Sequence, residues 1–231
     1  MTAFRGAVAG LLTILITATT LTTAPLAHAA GKLTVGMKVI IGNGSCSLGF
    51  FAFNDAKNRL AVTSGHCSHE TIHEPVYAVG GIEIGNVVAY MTDSTTKKAV
   101  RPRGYTIFRI YDRFGFNPTF VDTGSATKGD AVGKEGAASG FTKGQITDTY
   151  FNKERPDMAT LIGNVVTVPG DSGGPWFTAG PTLVGITASG SYAEGADTDR
   201  GSQAQSIGSL VTVIREHAGE IGQGFKVWLE D

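Results

Sequence analysis

Past residue 32, apolar residues recur in short runs divided by turn-forming stretches. Leu33, Val35, Met37 and Val39 occupy every second position, the period of a strand with one face buried. Runs at 46–53 and 59–63 read as further strands, parted by the turn-like Asn54-Asp55-Ala56-Lys57-Asn58. Strands follow at 76–79, 82–90 and 105–111. A glycine-spaced stretch over 131–146 reads as two strands around a turn, and 160–168 and 183–189 complete the set. One segment changes period: Ile207, Leu210, Val211 and Ile214 fall on one helical face, predicting a helix over 206–218. Many short strands and one late helix indicate an all-β barrel or sandwich.

Composition narrows the picture. The chain has 231 residues, 42% hydrophobic and 17% charged, with Lys+Arg 19 against Asp+Glu 20 and a formal charge of −1. That excludes a disordered polyelectrolyte. It also supplies no basic excess to neutralise phosphates, so no nucleic-acid partner is expected. The 32 glycines follow no triplet period and suit tight turns between strands.

The N-terminus departs from the strand pattern. Arg5 precedes an apolar run from Ala7 to Leu21, followed by Pro25 and Ala27-His28-Ala29. A positive start, a short apolar middle and a small-x-small end predict a secretory signal peptide cleaved after Ala29. Residues 30–231 are then expected as one domain, secreted, monomeric and free of the membrane. Only residues 30–45 precede Cys46, which leaves no room for a folding pro-domain. Cys46 and Cys67, the two cysteines, most simply form one disulfide in an exported chain. It would close a loop of about 20 residues, stabilising by roughly 3 kcal/mol.

Two glycine-flanked motifs carry the chemistry. In Pro169-Gly170-Asp171-Ser172-Gly173-Gly174-Pro175 a serine between glycines can expose its hydroxyl on a sharp turn. The backbone N–H groups of Gly170 and Ser172 can then converge on one point as an oxyanion hole. In Ala61-Val62-Thr63-Ser64-Gly65-His66-Cys67 a histidine ends a strand, and imidazole is the natural general base for a serine at neutral pH.

These motifs resemble those of the chymotrypsin-like serine proteases, and within them the bacterial streptogrisin and α-lytic protease branch. Cys46-Ser47-Leu48-Gly49-Phe50, the run from Gly133 to Gly140, and Gly185-Ile186-Thr187 fit the same pattern. The resemblance spans about 39–214. It implies two six-stranded antiparallel β-barrels, over about 33–115 and 120–205, with the site between them and the helix following. It further implies a peptide or protein substrate, no cofactor and no metal, with Ser172 as nucleophile and His66 as base.

The third member of the expected triad is the difficulty. In the family the acid opens a strand in a pattern like Asp-Tyr-Gly-Ile-Val-Arg. Here the matching run is Pro102-Arg103-Gly104-Tyr105-Thr106-Ile107-Phe108-Arg109, which puts Gly104 at the acid's position. The family's serine that helps hold the carboxylate corresponds to Ala188, with Ser189 adjacent. Loss of the acid function costs on the order of 10⁴ in kcat, so the expectation is a slow hydrolase or a replacement acid. Asp93, eleven residues before Gly104, is the first candidate, followed by Asp112 and Asp122; a solvated loop aspartate is the competing reading.

The resemblance assigns the primary specificity pocket to Val166 and Thr167 on one wall and Ala188, Ser189 and Gly190 on the other. None is acidic, which favours medium apolar side chains over Lys or Arg. Asp197 and Asp199 lie in the polar loop beyond. By the same resemblance Asp171 would be buried beside the nucleophile and need a cation, and the position that is arginine in the bacterial branch is Lys134, which predicts an Asp171–Lys134 pair. A separate pattern, His69-Glu70-Thr71-Ile72-His73, matches the H-E-x-x-H zinc-peptidase motif, which requires a helix. Pro75 and the lack of an apolar helical face favour a polar loop there. Three functions therefore stand: a secreted serine endopeptidase, a non-enzymatic relative that binds a peptide or partner, and, distantly, a zinc peptidase.

Overall fold

A computed structural model describes Met1 and residues 30–96, 98, 100–190 and 201–230. The expected signal peptide, Asp197 and Asp199 lie outside the described residues. Among those described, no helix is long and apolar enough to cross a membrane.

The first half of the chain supplies β1 (Ala30–Leu33), β2 (Lys38–Ile41), β3 (Gly44–Ser47), β4 (Phe50–Phe53), β5 (Leu60–Ser64), β6 (Pro75–Ala78), β7 (Ile82–Met91), β8 (Tyr105–Ile110) and β9 (Phe114–Phe116). The second half supplies β10 (Asp122–Thr123), β11 (Ala131–Lys134), β12 (Thr142–Tyr150), β13 (Thr160–Gly163), β14 (Pro175–Thr178), β15 (Thr182–Ser189), β16 (Ser202–Ser206), the helix α1 (Ile207–His217) and β17 (Lys226–Val227).

In the second half, the order β15-β14-β11-β12-β13-β16 returns to β15, closing a six-stranded antiparallel barrel. The first sheet runs β17-β4-β5-β8-β7-β6-β2-β3, and among the described residues no ladder joins its two ends. The expected all-β architecture of two barrel-like sheets followed by a helix is thus present, with the second barrel closed and the first a curled sheet. The sheet still curls round, because β3 and β4 are one run of chain interrupted at Leu48-Gly49. Leu48 N–H donates to Met37 O (2.9 Å) on one side, and Gly49 N–H to Val62 O (2.8 Å) on the other. A Cβ at Gly49 would lie 2.5 Å from Gly173 O, so only glycine lets the strand change partners where the two halves meet.

The apolar alternation from Leu33 to Val39 covers two strands rather than one. A turn with Gly36 at φ +75° divides them, a conformation open mainly to glycine. Strand β16 gave no hydrophobic signal: Ser-Gln-Ala-Gln-Ser is polar, yet every residue in it is buried. It forms ladders with β13 and β15, and its glutamine side chains hydrogen-bond to Arg103. Helix α1 starts within a residue of the expected position and buries Ile207, Leu210, Val213 and Ile214. These join Phe50, Leu60, Val62 and Ile107 of the first sheet and Leu183 and Ile186 of the second in a single cluster.

Candidate active site

His66 and Ser172 line one cleft of about 410 Å³ between the two sheets. His66 sits in a single 3₁₀ turn, Gly65–Cys67, that ends β5. That strand end is fastened across the interface, since Ser64 Oγ donates to Thr187 O of β15 (2.5 Å). The next residue, Cys67, is disulfide-bonded to Cys46. Ser47, adjoining Cys46, reaches the Ser172 loop directly: its N–H donates to Ser172 O (2.7 Å) and its Oγ to Gly170 O (2.8 Å). The disulfide and these two hydrogen bonds therefore connect the histidine turn to the serine turn by a short path. No hydrogen bond joins Ser172 Oγ to the imidazole here. Such contacts are often long in unliganded sites and tighten when substrate binds.

The serine turn is held from below. Asp171 is fully buried and pairs with the equally buried Lys134 (2.7 Å). Ser139 Oγ (2.6 Å) and the N–H groups of Ala138, Ser139 and Val168 (3.0 Å each) also donate to its carboxylate. Burial alone would raise the Asp171 pKa. Lys134, Ser139 and the backbone donors outweigh it and bring the value to about 2. Gly170 takes φ +100°. Neither its N–H nor that of Ser172 has a hydrogen-bond partner among the described residues. The two groups are thus free to serve as donors.

Asp93 approaches His66 beside Gly104. A Cβ at Gly104 would fall 1.7 Å from Met91 O and 2.8 Å from the Thr92 carbonyl carbon, so the chain just before Asp93 fills the space a side chain at 104 would need. Asp93 Oδ2 lies 2.8 Å from His66 Nδ1, and Asp93 Oδ1 accepts from Gly104 N–H (2.7 Å). The carboxylate is nearly buried, at 9% exposure. Burial would raise its pKa, but the His66 hydrogen bond and charge, the Gly104 N–H and the Arg103 guanidinium together hold it below the usual carboxylate value. Asp112 pairs instead with Arg59 (3.6 Å), and Asp122 caps the adjacent Thr123 N–H (2.7 Å); neither lines the cleft.

Thr167, Ala188, Ser189 and Gly190 all line the cleft, together with Val168 and Pro169. Val166 does not. It is 48% exposed, whereas its neighbours Val165 and Thr167 are buried. The walls approach closely: a Cβ at Gly190 would lie 2.6 Å from Thr167 O. The zinc-peptidase reading of His69, Glu70 and His73 is corrected as well. Glu70 and His73 have φ of 61° and 69°, which no α-helix contains. His69 Nδ1 pairs with Glu74 (2.9 Å), and His73 Nδ1 faces Asn86 (3.2 Å). Among the described residues the one metal-like grouping is Cys46, His66 and Cys67, and its two sulfurs are committed to the disulfide.

One buried residue was not singled out by the sequence. Arg103, 1% exposed, underlies the His66–Asp93 couple. The Lys-or-Arg count treats it like any surface cation, and only its place immediately before Gly104 hinted at the site.

No protein-family model matches the chain. It is similar to streptogrisin-A of Streptomyces griseus, 30% identical over 174 residues, which are 71% of this chain and 55% of that protein. It is also similar to serine protease 2 of Streptomyces fradiae, 29% identical over 158 residues, 65% of this chain and 89% of that one. The chain therefore spans about half the length of the first relative and most of the second. Among solved structures, Thermobifida fusca protease A superposes with a TM-score of 0.61 at 22% identity, covering 87% of this chain and 100% of that one.

Proposed function

The chain belongs to the chymotrypsin-like serine protease family, and we propose that it is a secreted serine endopeptidase acting on peptide or protein substrates. In this reading residues 1–29 are removed on export and residues 30–231 form one monomeric catalytic domain. The observation that carries the reading is the 2.8 Å contact between His66 Nδ1 and Asp93 Oδ2 on the same cleft as Ser172.

Asp93 holds the imidazole in the tautomer that leaves Nε2 free to accept a proton. Ser172 Oγ attacks the scissile carbonyl as Nε2 takes its proton. The oxyanion that forms is met by the N–H groups of Gly170 and Ser172. Collapse expels the amine, protonated by the imidazolium, and leaves an acyl-serine. A water activated by His66 then hydrolyses it, regenerating the serine. With Asp93 as the acid, turnover does not carry the penalty expected from Gly104 alone. With no acidic residue in either described wall, the preference proposed is a medium apolar side chain at the cleaved bond.

A fluorophosphonate probe tests the reading: it is expected to label Ser172, and labelling disappears in Ser172→Ala. Asp93→Asn is expected to lower kcat by on the order of 10⁴. Failure of the unaltered protein to label leaves the non-enzymatic binding module. A Lys/Arg-dominated cleavage profile overturns the specificity.

A further inference from the structure

Arg103 is a deeply buried cation beside the His66–Asp93 couple. A guanidinium carries five N–H donors in a rigid fork, and its burial is costly unless those donors meet acceptors. Its Nη2 donates to Gln203 Oε1 (2.7 Å) and Ser189 Oγ (3.1 Å), and its Nη1 to Ala188 O (3.4 Å). Nη1 lies 3.8 Å from Asp93 Oδ2, the oxygen that faces His66. Its backbone is fixed too: Arg103 N–H donates to Asp157 O (2.8 Å), and Gln205 Nε2 donates to Arg103 O (3.3 Å). The side chain thus has one defined position. From there it touches Ala188 and Ser189, two residues of the cleft wall, and faces the carboxylate.

The geometry around Asp93 leaves this role open. Its Oδ1 is held by Gly104 N–H and its Oδ2 by the imidazole. It arrives on the loop after β7 rather than on β8, so nothing in its own strand fixes the carboxylate's third side. Ala188, whose carbonyl Arg103 contacts, offers no hydroxyl. We propose that Arg103 is a positioning residue for the proposed triad: its charge fixes Asp93 against His66, and its fork ties that couple to the substrate-binding wall at Ala188–Ser189. The inference rests on the hydrolase reading for its kinetic consequences, but not for the placement of Asp93.

Among the described residues, the charged groups near the couple are Arg103 and, farther out on the cleft, Arg101. Burial lowers Arg103 to about 10, Asp93 raises it and Arg101 lowers it, so the guanidinium is charged at every pH at which a histidine base works. A fixed cation opposes protonation of the imidazole next to the same carboxylate. Its removal should let the inactive, protonated couple persist to higher pH.

The experiment compares Arg103→Gln, which keeps donors without charge, with Arg103→Lys, which keeps charge without the fork. Near-UV circular dichroism serves as the check on folding. For Arg103→Gln the acid limb of kcat/KM is expected to move to higher pH and kcat to fall at least tenfold. For Arg103→Lys the limb is expected to stay in place. The low-field proton resonance of the His66 Nδ1–H···Asp93 bond should be present in the unaltered protein and Arg103→Lys, and lost or broadened in Arg103→Gln. A folded Arg103→Gln with the limb and the resonance unchanged overturns the proposal. If the unaltered protein fails to label with fluorophosphonate, the hydrolase reading falls, and the resonance alone still decides whether Arg103 positions Asp93. If Arg103→Gln does not fold, the Lys variant decides: an acid limb or resonance that departs from the unaltered protein's rules out the charge as the positioning element.

Discussion

Gly104 and Asp93 are two halves of one substitution. The chain from Met91 to Asp93 occupies the volume that a side chain at 104 would fill, and in exchange it delivers a carboxylate to His66. An aspartate restored at 104 therefore has nowhere to go. Gly104→Asp is expected to destabilise the protein by at least about 3 kcal/mol, the upper range for forcing atoms into a packed site, and not to rescue Asp93→Asn. Urea unfolding and kcat/KM measure the two effects, and recovery of activity in the double variant would mean that the site tolerates either acid. The sequence made the absence at 104 visible, because the strand from Tyr105 keeps its pattern around the gap. It could only nominate Asp93, since the distance from an acidic loop residue to an imidazole depends on the path of the whole loop. Arg103 was less legible still. Burial of a cation is decided by acceptors that come from Ala188, Ser189 and Gln203, all far away in the chain.

At the scale of elements, the same physics separates what could be read from what could not. Strands with an apolar face, such as β5 and β8, and the amphipathic helix α1 declare themselves by period. Strand β16 does not, because its buried side chains are satisfied by hydrogen bonds rather than by apolar contact. The loop that carries Ser172 is the case with the clearest energetic consequence. It is organised round Asp171, whose carboxylate binds Lys134, Ser139 and the backbone at 138, 139 and 168. Because the folded pKa is about 2 against a usual 3.8, this carboxylate stabilises the fold fully above about pH 4. That contribution is lost as pH falls through about 2. The shift corresponds to roughly 2–3 kcal/mol. Stability measured by urea from pH 5 to 2 should show this loss, and Asp171→Asn should flatten that part of the curve. Lys134→Met, which strands the carboxylate, is expected to cost about 3–5 kcal/mol at neutral pH. An unchanged midpoint there would mean the pair does not hold the loop.

For the whole molecule, the question is whether the two sheets are separable folding units. The resemblance suggests two barrels meeting at a cleft. The packing argues for one cooperative body, because α1 follows the second barrel yet buries Leu210 and Ile214 among Phe50, Leu60 and Ile107 of the first sheet. The chain then returns through β17 to pair with β4. The two tryptophans divide the reporting between the halves. Trp176 is fully buried in the second barrel's own cluster and donates to Thr187 Oγ1 (2.9 Å). Trp228 stands edge-on to Phe53 and Phe116 against the first. Two variants, Trp176→Phe and Trp228→Phe, each leave one reporter. In both, the fluorescence midpoint in urea is expected to coincide with that of far-UV circular dichroism, as two-state unfolding requires. Added to either background, Leu210→Ala should lower stability by about 2–5 kcal/mol and shift both reporters together. If only the Trp228 signal moved, the shared cluster would be a contact between two independent units. The site at their junction would then depend on docking rather than on folding.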